Sequence, residues 1–234
     1  MNGSRMIRVL IPILFISMFQ ARTHHYQVEF MGLNVAKVTM AHRDTIFENR
    51  AATLIEFTAI TESVSNYFFH VDNHYEIIHS MDTYQILSFK KTTVQPGLKN
   101  ELFTIFENDE AYYQNTKAKI PNGSITIFTL FHLLAYNLVN ADNIIIEREG
   151  LRYDANLIEM QKNDGLEKYN LELVEQSSKN GIKILEHTDI FTWAVFKENA
   201  NRLIWVNTKN QRIEKCNFNV GFFSLTAEYM FTDE

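Results

Sequence analysis

The chain has 234 residues, a formal net charge of −6, 46% hydrophobic and 13% aromatic residues, and one cysteine. That length suffices for one core of sandwich or barrel size and is short for two. The negative charge repels phosphate backbones and anionic surfaces, which argues against nucleic acid as a partner. The lone Cys216 allows no internal disulfide, so the fold must stand on its own core.

The chain opens like a secretory leader. Arg5 and Arg8 precede an apolar run, Val9–Phe19, that is shorter than the roughly 20 residues of a membrane span. Cleavage after Ala21 defines residues 1–21 as a signal peptide and 22–234 as one β-rich domain, exported to a bacterial periplasm or secreted. Phe19 stands where a small residue is usual, so retention of the leader as an anchor stays open. Cleavage removes Arg5 and Arg8, leaving 20 Lys and Arg against 28 Asp and Glu, a charge of −8.

Strand signals then follow one another. Tyr26, Val28 and Phe30 alternate with Gln27 and Glu29, the pattern of a half-buried strand, and Gly32 marks a turn. Leu33–Ala41 and Ala51–Ile60 continue, joined through Asp44–Arg50. Tyr67–Ile77 has an aromatic and aliphatic side opposite Phe68, His70, Asp72, His74 and Glu76. Tyr84–Val94 ends at Gln95-Pro96-Gly97, and Leu98–Glu107 with Ala111–Gln114 reads as a hairpin.

Pro121-Asn122-Gly123-Ser124 breaks the series, with Ser124 as the expected N-cap of a helix over Ile125–Val139. Phe128, Phe131, Leu134, Ala135 and Leu138 fall at helical spacing. Ile127, Leu130 and Leu133 widen the apolar surface, so most of the circumference should be covered by protein. Strands resume at Ile144–Glu147, Leu151–Gln161, Glu167–Val174, Ile182–His187, Phe191–Phe196, Arg202–Asn207, Arg212–Val220 and Phe222–Phe231. Asn163-Asp164-Gly165 and Asn180-Gly181 supply turns.

About a dozen strands joined by short turns imply an antiparallel meander too wide to stay flat. The predicted fold is mainly β: a strongly curved sheet or half-barrel with one apolar helix in its concavity.

The Tyr26–Phe30 strand with Gly32, the segment Phe69-His70-Val71-Asp72-Asn73-His74-Tyr75-Glu76, the Thr126–Ala135 segment and the closing Arg202–Phe218 stretch together resemble an exported bacterial family of unknown function, of the DUF3108 type. That family is distantly similar in fold to the lipoprotein-localisation carriers, whose half-barrels hold acyl chains. The resemblance implies a concave apolar surface and supplies no catalytic residues.

His70, Asp72 and His74 alternate along one strand and so share a face. Imidazole and carboxylate are zinc and iron ligands, which makes these three a candidate metal set, although ligands on one straight strand diverge. The ordinary alternative is a solvated polar face. Cys216 follows Lys215, but alternate strand residues face opposite ways, so a structural thiol is expected. No nucleophile elbow or phosphate loop occurs, no cofactor is implied, and no enzymatic activity is expected.

The functional expectation is a non-enzymatic protein that binds or carries a lipid-like or other apolar small molecule, with Phe128, Phe131, Leu134, Trp193 and Trp205 as candidate pocket residues. A structural or interaction component of the cell envelope is the alternative, with envelope proteins as partners. A metal-dependent envelope enzyme built on His70, Asp72 and His74 is the third.

Overall fold

The structure is a computed structural model and describes residues 21–62, 69–139, 144–176 and 184–233. The leader's apolar run, Tyr67, Phe68 and the Asn180-Gly181 turn lie outside those residues. The described elements are β1 (Arg22–Phe30), β2 (Leu33–Phe47), β3 (Arg50–Thr61), β4 (Asp72–Ser80), β5 (Ile86–Gln95), β6 (Leu98–Glu107), β7 (Glu110–Tyr113) and β8 (Ser124–Ile125). Then come α1 (Ile127–Ala135), β9 (Ile144–Arg148), β10 (Leu151–Asn163), β11 (Leu166–Glu175), α2 (Ile190–Phe196), β12 (Asn201–Asn207), β13 (Arg212–Val220) and β14 (Phe223–Asp233).

All fourteen strands form one sheet in the order β7-β6-β5-β4-β3-β2-β1-β14-β13-β12-β11-β10-β9-β8. The first and last strands pair at its centre, Val28 opposite Ala227, and two meanders run outward from them. Turn chemistry sets the register. Met31 and Gly32 both take positive φ, the backbone of the two-residue hairpin turn that suits strand twist. Every ladder is antiparallel except the two-residue pairing of β8 with β9, so the sheet is mainly antiparallel as expected, with one short parallel pairing at its edge.

The sheet curls until its two ends meet. Tyr113 on edge strand β7 donates to Glu147 on β9 across 2.5 Å, and Lys91 on β5 reaches Glu149 in the turn after β9. A sheet of this width buries one face by curving around it, and the inward positions fill that interior. In β1 Tyr26 and Val28 are buried while Gln27 and Glu29 are half-buried on the other face. Ile55, Ile77 and Ile204 lose all exposure, each contributing about 1.5–3 kcal/mol relative to an exposed side chain.

The apolar helix lies in the concavity as expected, with every one of its residues buried, and it touches β3 and β4 on one side and β12 and β13 on the other. It is shorter than Ile125–Val139. Its cap is Thr126, whose hydroxyl accepts from the Thr129 amide at 3.0 Å, and not Ser124, which enters β8. The chain differs from expectation again at 191–196, where helix α2 replaces a strand. Asp189 caps it by accepting from the Thr192 amide at 2.9 Å. A seven-residue apolar run rich in aromatics reads as a strand unless that cap is weighed. Residues 184–187 are not strand either.

Candidate functional site: an apolar cavity under the sheet

The curvature leaves a cavity of about 770 Å³ between the helices and the central strands. That volume falls within the ~300–1,000 Å³ of small-molecule sites. Its walls come from both meanders: Val38 and Met40 of β2, Phe57 and Ala59 of β3, Ile213 and Cys216 of β13, and Leu225 and Ala227 of β14. Phe131 of α1 and Phe191 of α2 close it from the inside. Leu33 is 70% exposed, and Phe69 and Phe223 are also exposed; these lining residues place the opening at the end where the β1–β2 and β13–β14 hairpins turn. Phe222, at the tip of the second hairpin, is 94% exposed.

Among the described residues, no lysine, arginine, histidine or carboxylate belongs to the lining. Cys216 is one of the few heteroatom-bearing groups there, and burial pushes its thiol up to about 12, so it is a neutral wall residue and not a nucleophile. Asn73 contributes a fully buried side-chain amide.

The candidate pocket residues divide. Phe131 lines the cavity. Phe128 stands behind it, packed on Phe57 at 4.7 Å, Tyr75 at 4.8 Å and Phe191 at 5.5 Å between ring centroids. Leu134 is buried on α1 away from the lining, and Trp193 packs edge-to-face on Phe223 at the opening. Trp205 lies on the other face of β12 from the buried Ile204 and Val206, with the Lys168 ammonium 4.8 Å and the Lys215 ammonium 5.8 Å from its ring. The walls supplied by β1–β3, β13 and β14 were missed. Their alternating apolar positions were legible as strand faces, but an inward face that packs and one that lines a space look alike in sequence.

His70, Asp72 and His74 do share one side of the chain entering β4, and the latter two are hydrogen-bonded at 2.7 Å on its exposed face. Among the described residues no three His, Cys, Asp or Glu side chains stand where they could hold one metal ion.

A second cavity, of about 470 Å³, lies at the opposite end of α1 and is lined by His42, His79, His132, Tyr84, Tyr136 and Arg22, among others. Its imidazoles form a chain with His24: ring centroids are 5.8 Å apart for His24–His42, 5.1 Å for His42–His132 and 5.6 Å for His132–His79. Burial, reinforced by neighbouring imidazoles and Arg22, lowers His24 and His42 to about 4 and His132 to about 3.

The fold and cavity define a mainly β, barrel-like protein: an open curved sheet of fourteen strands around two apolar helices. In keeping with that class, the chain is similar in fold to a solved β-barrel-like protein of the domain of unknown function DUF1849 from Brucella abortus. The TM-score is 0.52 at 8% identity, covering 91% of this chain and 97% of that one. At such identity the likeness is one of fold. No family model and no curated protein matches the chain.

Proposed function

We propose that this protein is an exported, non-enzymatic binding or carrier protein for a lipid-like ligand. The observation that carries the reading is the 770 Å³ cavity, which opens at one end of the sheet and whose lining, among the described residues, has no charged side chain. An aqueous cavity of that size and character gains free energy by taking up apolar surface, at roughly 25 cal/mol per Å² buried. The leader-like N-terminus of the sequence agrees with this reading. Native mass spectrometry with organic extraction, on protein prepared from a periplasmic fraction without detergent, tests it. A reproducible co-purifying mass of lipid size is the expected result. A clean apo mass, with no lipid taken up on incubation, overturns it.

The exposed hairpin end favours a second reading, an interaction component of the cell envelope. Phe222, Leu33 and Met31 present apolar surface that a partner protein could cover. Cross-linking from position 222 that captures one defined envelope protein, in a preparation free of lipid, would favour it over the carrier.

A further inference from the structure

The lining of the large cavity is apolar except at a few positions, and one of these is unusual. Asn73, on β4, is fully buried, and neither its Nδ2 nor its Oδ1 has a hydrogen-bond partner. An amide held that way costs free energy at both atoms, because its hydrogen bonds to water in the unfolded chain are not replaced. Its cross-strand neighbours do not relieve it. Ala59, opposite on β3, has no polar side chain, and Thr93, opposite on β5, is itself buried with an unpartnered hydroxyl. Leucine would fill the same position without this cost, so the amide is a liability to folding alone.

Asn73 also has a defined depth. Through Ala59 on β3 it is level with Val38 on β2, near the inner end of the lining: only Met40 lies deeper on β2, whereas Leu33, Val35 and Ala36 lie between that level and the opening. A single-chain ligand with its polar group level with Asn73 would run its tail toward the opening, along the apolar walls of Ala36, Val35 and Leu33 on β2 and Leu225 and Phe223 on β14. The amide offers one donor and one acceptor side by side, which a neutral carboxylic acid or a primary amide matches with two parallel hydrogen bonds. An ester supplies only the acceptor, and a carboxylate would enter a lining in which the described residues offer no cation to pair it.

We infer that Asn73 is the polar anchor of the ligand site, and that the site takes single-chain amphiphiles whose uncharged head group both donates and accepts a hydrogen bond, a long-chain acid in its neutral form or the corresponding amide. This inference rests on the carrier reading and specifies its ligand class.

Displacement of the fluorescent probe N-phenyl-1-naphthylamine from the full chain by hexadecanamide, methyl hexadecanoate and hexadecane tests it, in the wild type and in Asn73→Leu and Asn73→Ala. The wild type is expected to bind the amide about tenfold more tightly than the ester, the worth of one well-made buried hydrogen bond. In Asn73→Leu that preference should vanish while hexadecane binding persists, and the variant should melt no lower than the wild type. Hexadecanoic acid should compete better below its pKa than above it. Equal binding of amide, ester and alkane by the wild type overturns the anchor and leaves the carrier reading standing. Failure of all three to displace the probe sinks both. A lower melting temperature for both Asn73 variants, with the ligand preference retained, shows that the amide serves the fold and overturns the inference.

Discussion

Lys91 on β5 and Asp189 at the start of α2 form an ion pair of 2.5 Å in which neither side chain is more than 1% exposed. Glu149, from the turn between β9 and β10, joins the same ammonium, and Thr188 donates to Glu149 at 2.7 Å. Burial works against the charge on Lys91, but the two carboxylates outweigh it and raise its pKa, while Lys91 and the Thr192 hydrogen bonds keep Asp189 low. Three distant chain segments are thereby fixed to one another, and α2 is held over the cavity.

Lys91→Met leaves buried Asp189 without a cation and Glu149 with only Arg148, 3.7 Å away, and should cost about 3–5 kcal/mol in urea unfolding. Combining it with Glu149→Gln and Asp189→Asn removes the orphaned charges and should recover most of the loss. A triple variant as unstable as the single one would mean that packing, not charge, makes Lys91 important.

Ala59 is a wall residue of the large cavity, so Ala59→Phe places a ring in existing space instead of overpacking a filled core. Binding of N-phenyl-1-naphthylamine should fall at least about tenfold, because the ring competes for the same apolar volume. Circular dichroism should place the melting temperature within a few degrees of wild type. Unchanged binding would locate the ligand elsewhere.

The histidine chain sets a pH dependence. Folded pKa values of about 4 for His24 and His42 and about 3 for His132 lie below the unfolded value of 6.5, so the unfolded chain binds protons first on acidification. Their contribution is complete above pH 6.5 and is lost as pH falls toward 3–4. Glu147 opposes them. Burial raises it from 4.5 to about 7, so the folded state takes up its proton first and gains stability on acidification across that interval. Burial lowers His79 as well, so four histidines stand against one raised carboxyl, and the melting temperature should drop from pH 6.5 to 4. His42→Gln should flatten the drop and Glu147→Gln should steepen it. A flat profile in the wild type would contradict the burial of these imidazoles.

Cys216, at about 12, carries on the order of a thousandfold less thiolate at pH 8 than a free cysteine. Alkylation by iodoacetamide should be slower by at least about a hundredfold in the native protein than in denaturant. A rate within tenfold of the denatured one would mean the thiol is reached through frequent opening of the sheet.

Much of this fold was legible from residue order. The strand over Leu98–Glu107 was placed residue for residue, and the alternation in Tyr26–Phe30 marked the inward face of β1 correctly. The second helix was not legible from periodicity, because Ile190–Phe196 is too short and too aromatic to betray a helical stripe, and only the Asp189 cap distinguishes it. The site was legible in one residue, Phe131, which an apolar helix inside a curved sheet was bound to present. Trp205 misled because a large aromatic on a strand with two apolar faces can go either way, and here it lies between two lysine chains.

By itself the sequence determined the local structure and the sidedness of the strands, since alternation, turn residues and caps act over a few neighbouring positions. The tertiary structure decided where the faces went. The pairing of β1 with β14, the closing contacts of Tyr113 with Glu147 and Lys91 with Glu149, and the curvature they impose join residues up to about 200 positions apart. Whether an apolar inward face packs solid or encloses a space depends on that curvature and on how far α1 and α2 fill it. No single strand carries that information.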